Sequence, residues 1–70
     1  MSNIIHLQLN GEPRVLASGA TIATLLDAEN LAQRRVAVEV NGEIVPRGMH
    51  AMHALRDGDK IEIVHALGGG

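Results

Sequence analysis

The chain has 70 residues and a mass of 7.4 kDa, so it forms one small domain at most, and its hydrophobic fraction of 46% excludes a disordered chain. It contains no aromatic residue and no cysteine, which excludes aromatic stacking platforms, disulfides, zinc–thiolate sites and thiol catalysis. A net charge of −2 with six scattered basic residues argues against nucleic acid as a partner, and the short apolar stretches argue against a membrane span.

The first residues of the chain predict a β-hairpin. Apolar and polar residues alternate over 4–9, which is typical of a half-buried strand. Asn10-Gly11 follows and predicts a type I′ turn, because both central residues of that turn need a positive φ. Residues 14–17 are the expected returning strand, and Pro13, which has no N–H group, indicates that this strand lies at an edge of the sheet or starts late.

A short helix is predicted after the hairpin. Thr21 is the expected N-cap, since its hydroxyl can accept a hydrogen bond from a free N–H of the first turn. The helix is expected to run to Asn30 with one apolar stripe, formed by Ile22, Leu25 and Leu26. A helix of this length is held by packing against a sheet more than by intrinsic propensity.

Three more strands are predicted in the second half. The β-branched run 36–40 and the segment 43–45 are joined by a second Asn-Gly pair, and 60–66 is the last strand. Residues 47–55 are expected to form a loop or a single helical turn. This order predicts an α+β fold, a mixed sheet of four to five strands packed on one helix.

The side chains offer little for catalysis or metal binding. His50 and His53 are three residues apart and would share one face of a helix, so a metal-binding regulator is one alternative. Without a third ligand nearby, we expect surface histidines and no metal site. Asp57-Gly58-Asp59 is predicted to be a turn, because the later ligands of a calcium loop are absent. No serine, threonine or lysine has the spacing of an activated nucleophile.

Three consecutive glycines at the end of the sequence are its remaining chemical feature. We expect a single domain over 1–66 and a flexible tail over 67–70, which can enter a narrow channel because Gly68 to Gly70 carry no side chains. An ATP-dependent enzyme can convert the α-carboxylate of Gly70 to an acyl-adenylate, which a sulfur or amine nucleophile then attacks. The alternative is a frayed end without chemistry.

The sequence resembles the ThiS family of sulfur carriers, a branch of the ubiquitin-like β-grasp proteins, over essentially its whole length. The resemblance rests on a short first strand that leads to Asn10-Gly11 and on four further stretches. These are SGATI at 18–22 entering Leu25-Leu26, VEVNGEIVPR at 38–47, LRDGDKIEIV at 55–64 and GGG at 68–70. Each stretch alone is a weak signal, and their combination at this length is specific. The resemblance implies a β-grasp fold and a carrier that is not an enzyme.

The resemblance also implies a reaction and its partners. A ThiF-type adenylating enzyme would use ATP and magnesium to activate the carboxylate of Gly70, and the carrier would bind no cofactor itself. Sulfur from a donor such as a cysteine desulfurase would then give a C-terminal thiocarboxylate, which the thiazole synthase ThiG would use. Gly68 and Gly69 would thread the partner's active site.

The tail also needs a docking surface, because glycines alone cannot specify a partner. We expect an exposed apolar patch on the sheet face opposite the helix, with Val64, Leu67, Arg47 and Arg56 as the docking residues. The compartment expected for a chain without a signal peptide or membrane span is the cytoplasm. The alternatives are the small subunit of molybdopterin synthase, a carrier for tRNA thiolation, or an interaction domain without chemistry.

Overall fold

The computed structural model describes residues 3–65. Within them the chain forms β1 (Ile4–Leu9), β2 (Glu12–Ala17), α1 (Ile22–Ala28), β3 (Val36–Val40), β4 (Glu43–Val45), a 3-10 turn (Arg47–Met49) and β5 (Lys60–His65). The strands form one mixed sheet in the order β2-β1-β5-β3-β4, in which β1 and β5 are parallel and the other neighbours antiparallel. No helix in this part of the chain is long and apolar enough to cross a membrane. The predicted arrangement of a mixed sheet and one helix is confirmed.

Both Asn-Gly pairs form the predicted type I′ turns. Asn10 and Gly11 have φ values of 50° and 83°, and Asn41 and Gly42 have values of 52° and 87°. The first turn is so tight that Glu12 pairs directly with Leu9, so β2 begins two residues earlier than predicted. β2 lies at an edge of the sheet, as Pro13 indicated.

The helix begins where predicted and ends earlier. The Thr21 hydroxyl accepts a hydrogen bond from the N–H of Thr24 at 3.2 Å, and the Thr24 hydroxyl accepts one from the N–H of Thr21 at 3.1 Å. The predicted end at Asn30 was two residues too late. Asn30 has a φ of 64° and turns the chain, so that the N–H of Leu31 reaches the carbonyl of Leu26 at 2.7 Å. This is the Schellman arrangement, which satisfies the last carbonyls of a helix.

The core lies between α1 and one face of the sheet. Its most deeply buried side chains are Ile22, Leu25, Val38 and Ile61. Burying an aliphatic side chain of this size contributes about 1.5–3 kcal/mol, so this face and the helix hold each other in place. The alternate residues of the strands point the other way, onto what we call the open face, which includes Ala37, Glu39, Ile44, Glu62 and Val64.

The segment after β4 packs against the start of the helix, and it corrects one prediction. His50 was expected at the surface, yet only 6% of it is exposed, and its Nε2 lies 3.0 Å from the Val45 carbonyl oxygen. Since a carbonyl can only accept, Nε2 carries the proton. The backbone carbonyls of His53 and His50 accept from the free N–H groups of Ile22 and Ala23 at 3.1 and 3.0 Å. The helix N-terminus therefore draws this segment inward and buries His50 with it.

Candidate functional site

The predicted tail follows β5, the central strand of the sheet. β5 pairs with β1 on one side and with β3 on the other, where Val64 faces Ala37 and His65 faces Val36. Four predicted site residues lie outside the described residues, namely Leu67, Gly68, Gly69 and Gly70. The part of the site that the structure describes is therefore the support from which the tail starts.

Two asparagine side chains hold β5 in place. The Asn10 side chain accepts from the N–H of Ile63 at 2.8 Å and donates to the Ile63 carbonyl at 3.2 Å. The Asn41 side chain accepts from the N–H of Lys60 at 3.0 Å and donates to Asp59 Oδ1 at 2.9 Å. The first amide continues the pairing with β5 beyond the end of β1. Both residues were predicted only as turn formers, and their contacts with β5 were missed.

The Asp57-Gly58-Asp59 turn, confirmed as a turn, fixes the start of β5 against β1. The N–H of His6 donates to Asp57 Oδ1 at 2.7 Å, and the N–H of Gly58 donates to the His6 carbonyl at 2.7 Å. The hydrogen bond from the His6 N–H lowers the pKa of Asp57 below its ordinary value, because it stabilises the carboxylate. Asp59 Oδ2 accepts from the N–H of Arg56 at 2.8 Å. Among residues 3–65, no group of three histidine or acidic side chains is placed to hold a metal ion.

The open face near the end of β5 combines exposed apolar and acidic side chains. Val64 is 59% exposed and Ile44 is 68% exposed. Glu39 of β3 lies directly opposite Ile44 of β4 on one side and Glu62 of β5 on the other, whereas Val64 lies opposite Ala37. Val64 is thus accessible to a partner, and its role in docking stays a prediction.

The two arginines predicted to dock lie at different ends of the sheet. Arg47 follows β4 and lines a cavity together with Val36, which faces His65 at the end of β5. Arg56 precedes β5 and lines a separate cavity with Asp59. Only Arg47 therefore lies beside the point where the tail starts.

A third arginine, Arg14, forms ion pairs with other side chains of the domain. Arg14 donates from Nε to Glu29 Oε2 at 3.0 Å and from a terminal nitrogen to Glu12 Oε1 at 3.4 Å. The hydrogen bond and charge of Glu29 raise the pKa of Arg14 further above its ordinary value. This pair links β2 to the end of α1, so Arg14 has a structural partner that a docking residue would lack.

Comparison with known proteins identifies the family. The family model described as "ThiS family" matches residues 7–70. The chain belongs to the ThiS family. The sulfur carrier protein ThiS of Escherichia coli is 32% identical over 66 residues, which cover 94% of this chain and 100% of that protein. A thiazole synthase of Paramagnetospirillum magneticum is 47% identical over 66 residues, and the matched segment is 20% of that protein.

A solved structure confirms the predicted fold. The crystal structure of a thiamine biosynthesis protein (ThiS) from Geobacter metallireducens superposes with a TM-score of 0.81 at 35% identity. The match covers 94% of this chain and 100% of that one. The β-grasp prediction is therefore confirmed for this ThiS-family chain. Against the first two curated relatives, both thiazole synthases, the chain spans about a fifth of their length.

Proposed function

We propose that this chain is a sulfur carrier of thiamine biosynthesis and that Gly70 holds the sulfur as a C-terminal thiocarboxylate. The observation that carries the proposal is the ThiS family match, which spans residues 7–70 and so includes both the folded body and the glycines. The proposal requires Gly70 to be the last residue of the working carrier, because only a free α-carboxylate can be activated.

The proposed chemistry uses the backbone of the tail. On a ThiF-type adenylating enzyme that uses magnesium, an oxygen of the Gly70 carboxylate attacks the α-phosphate of ATP, and pyrophosphate leaves. A sulfur nucleophile, supplied by a donor such as a cysteine desulfurase, then attacks the acyl carbon, and AMP leaves. When the sulfur arrives as a persulfide, this attack gives an acyl disulfide. A thiol then attacks the donor's sulfur, forms a disulfide with it and releases the thiocarboxylate. The carrier supplies no catalytic side chain and is proposed to be a substrate, not an enzyme.

The folded body presents the tail and guides docking. Gly68 and Gly69 have no side chains, so they suit a narrow active-site channel. Val64 and Arg47 lie at the end of the sheet from which the tail starts, and we propose that both contact the partner together with Leu67. A contact through Arg56 would need a partner that reaches the other end of β5, about 20 Å away for a six-residue strand.

A thiazole synthase is the proposed acceptor of the sulfur. Two relatives are named thiazole synthase, and in each the segment similar to this chain takes up 20% of the protein. That similarity supports a functional link between a ThiS-family domain and the enzyme that makes the thiazole. Because the activation consumes ATP, we propose that the carrier works in the cytoplasm.

Intact mass spectrometry tests the proposal. The carrier is incubated with ATP, magnesium, sulfide and a ThiF-type enzyme, and the expected result is the mass gain for replacement of one oxygen by sulfur. Deletion of Gly70 should abolish the gain. Gly48→Ala is the matched control, since a Cβ at Gly48 meets nothing within 4 Å, and it should react normally.

The outcomes separate the proposal from its alternatives. An unchanged mass, with the same enzyme active on another carrier, would contradict the carrier chemistry and favour an interaction domain. A thiocarboxylate that thiazole synthase does not consume would contradict the thiamine assignment. Molybdopterin synthesis or tRNA thiolation would then be the pathway to test.

A further inference from the structure

A cavity of about 220 Å³ lies between α1, the start of β3 and the turn after β4. Its apolar wall includes Leu26, Val36 and Ala51, and its cationic side chains are Arg34 and Arg47. Among residues 3–65, no acidic side chain lines it. The cavity therefore combines an apolar surface with positive charge.

The two arginines are available for an outside partner. Both are exposed, and within residues 3–65 neither side chain forms an ion pair or a hydrogen bond. Arg14 provides the contrast, because Glu29 and Glu12 occupy its guanidinium. Guanidinium groups bind carboxylates through two parallel hydrogen bonds, so the unpaired guanidinium groups of Arg34 and Arg47 suit a carboxylate ligand.

The cavity lies at the end of the sheet from which the tail starts. Its wall residue Val36 pairs with His65, and five residues follow His65 in the chain. Five residues span at most about 17 Å, so an enzyme that holds Gly70 has its surface within reach of this cavity. A second contact here would add to the binding of the tail.

We propose that the cavity receives an acidic side chain and an adjoining aliphatic group from the enzyme that activates the tail. This inference rests on the proposed function. The cavity is smaller than the roughly 300–1,000 Å³ of typical small-molecule sites, which favours one or two side chains of a protein over a metabolite. The negative charges of Glu39 and Glu62 lie on the open face, so they do not oppose an acidic side chain that enters this cavity.

Steady-state kinetics of adenylation test the inference, with the carrier as the varied substrate. Arg34→Glu and Arg47→Glu should each raise KM by roughly tenfold, as the loss of one charge-assisted contact would. The kcat should stay unchanged, since docking does not alter the reacting carboxylate. Lys60→Glu is the matched control, because Lys60 is exposed at the start of β5, away from the cavity, and its KM should rise much less.

A second readout is the salt dependence of KM. The wild-type KM should rise with added salt, and the Arg34→Glu/Arg47→Glu variant should respond less, because screening acts on the missing contacts. Circular dichroism verifies that each variant is folded. If a glutamate variant unfolds, the neutral variants Arg34→Gln and Arg47→Gln take its place. These neutral variants should raise KM in the same direction.

The experiments distinguish a failure of the proposed function from a failure of the inference about the cavity. If wild-type carrier is not adenylated, the proposed function fails. If wild-type carrier reacts and the arginine variants match Lys60→Glu in KM, the inference is overturned and the function stands. Saturable binding of free glutarate at the cavity, seen by NMR without any change of KM in the variants, would assign the site to a small carboxylate and also overturn it.

Discussion

Replacing Asn10 with glycine isolates the contribution of its side chain to the anchoring of β5. Asn10 has a φ of 50°, which glycine adopts without strain, so the turn between β1 and β2 is retained. The two hydrogen bonds to the backbone of Ile63, at 2.8 and 3.2 Å, are lost. Asn30→Gly is the matched control, because Asn30 has a φ of 64° and its side chain makes no hydrogen bond within residues 3–65.

The magnitude follows from the number of bonds. Each hydrogen bond contributes about 1 kcal/mol net, so the loss at Asn10 is about 2 kcal/mol. Both variants share the added chain entropy of glycine, about 0.5–1 kcal/mol, which cancels in the comparison. For a domain of this size 1 kcal/mol shifts Tm by about 4–8 °C, so Asn10→Gly should melt roughly 8–16 °C below Asn30→Gly.

Thermal and urea unfolding followed by circular dichroism measure this difference, and amide hydrogen exchange at Ile63 locates it. Exchange at Ile63 should accelerate in Asn10→Gly and stay unchanged in Asn30→Gly. Equal melting temperatures of the two variants would refute the reasoning, since the side-chain bonds would then contribute nothing beyond the turn itself.

Three further predictions concern the body of the domain. Leu25→Ala, at a side chain with 0% exposure, should lower the free energy of unfolding in urea by about 2–5 kcal/mol. His50→Leu leaves the Val45 carbonyl without its donor and should cost about 1–3 kcal/mol in the same assay. Folding lowers the pKa of Asp57 from its ordinary value of 3.8, so the ionised carboxylate stabilises the fold above that pH. This stabilisation is lost as the pH falls through the lower pKa of the folded state. Thermal melts across acidic pH should therefore show wild type above Asp57→Asn near neutrality and the two converging below about pH 4.

Local sequence rules were sufficient to predict most of the secondary-structure elements. Positive φ is tolerated by few residue types, so Asn10-Gly11 and Asn41-Gly42 located both hairpins. The bounds of β3 and β4 followed from β-branched alternation and the stop at Pro46. The missing N–H of Pro13 placed β2 at an edge.

Features that depend on distant residues were not predictable in this way. His50 is buried because the helix N-terminus binds the carbonyls of its segment, and no local pattern around His50 reports that. The side chain of Asn10 bonds a residue 53 positions away, which an Asn-Gly turn signal does not indicate. The separation of Arg47 from Arg56 likewise depends on the order of the strands, which composition and spacing leave open.

The parallel pairing of β1 with β5 has a mechanical consequence. Since these neighbours run in the same direction, β1 begins at one end of the sheet and β5 finishes at the other. A pulling force on the end of β5, with the body held by a partner, acts along the strand and loads its bonds to β1 and β3 together. Such a force shears the bonds collectively and does not peel them one at a time. β5, the strand that precedes the glycines in the sequence, is thus suited to bear tension along its axis.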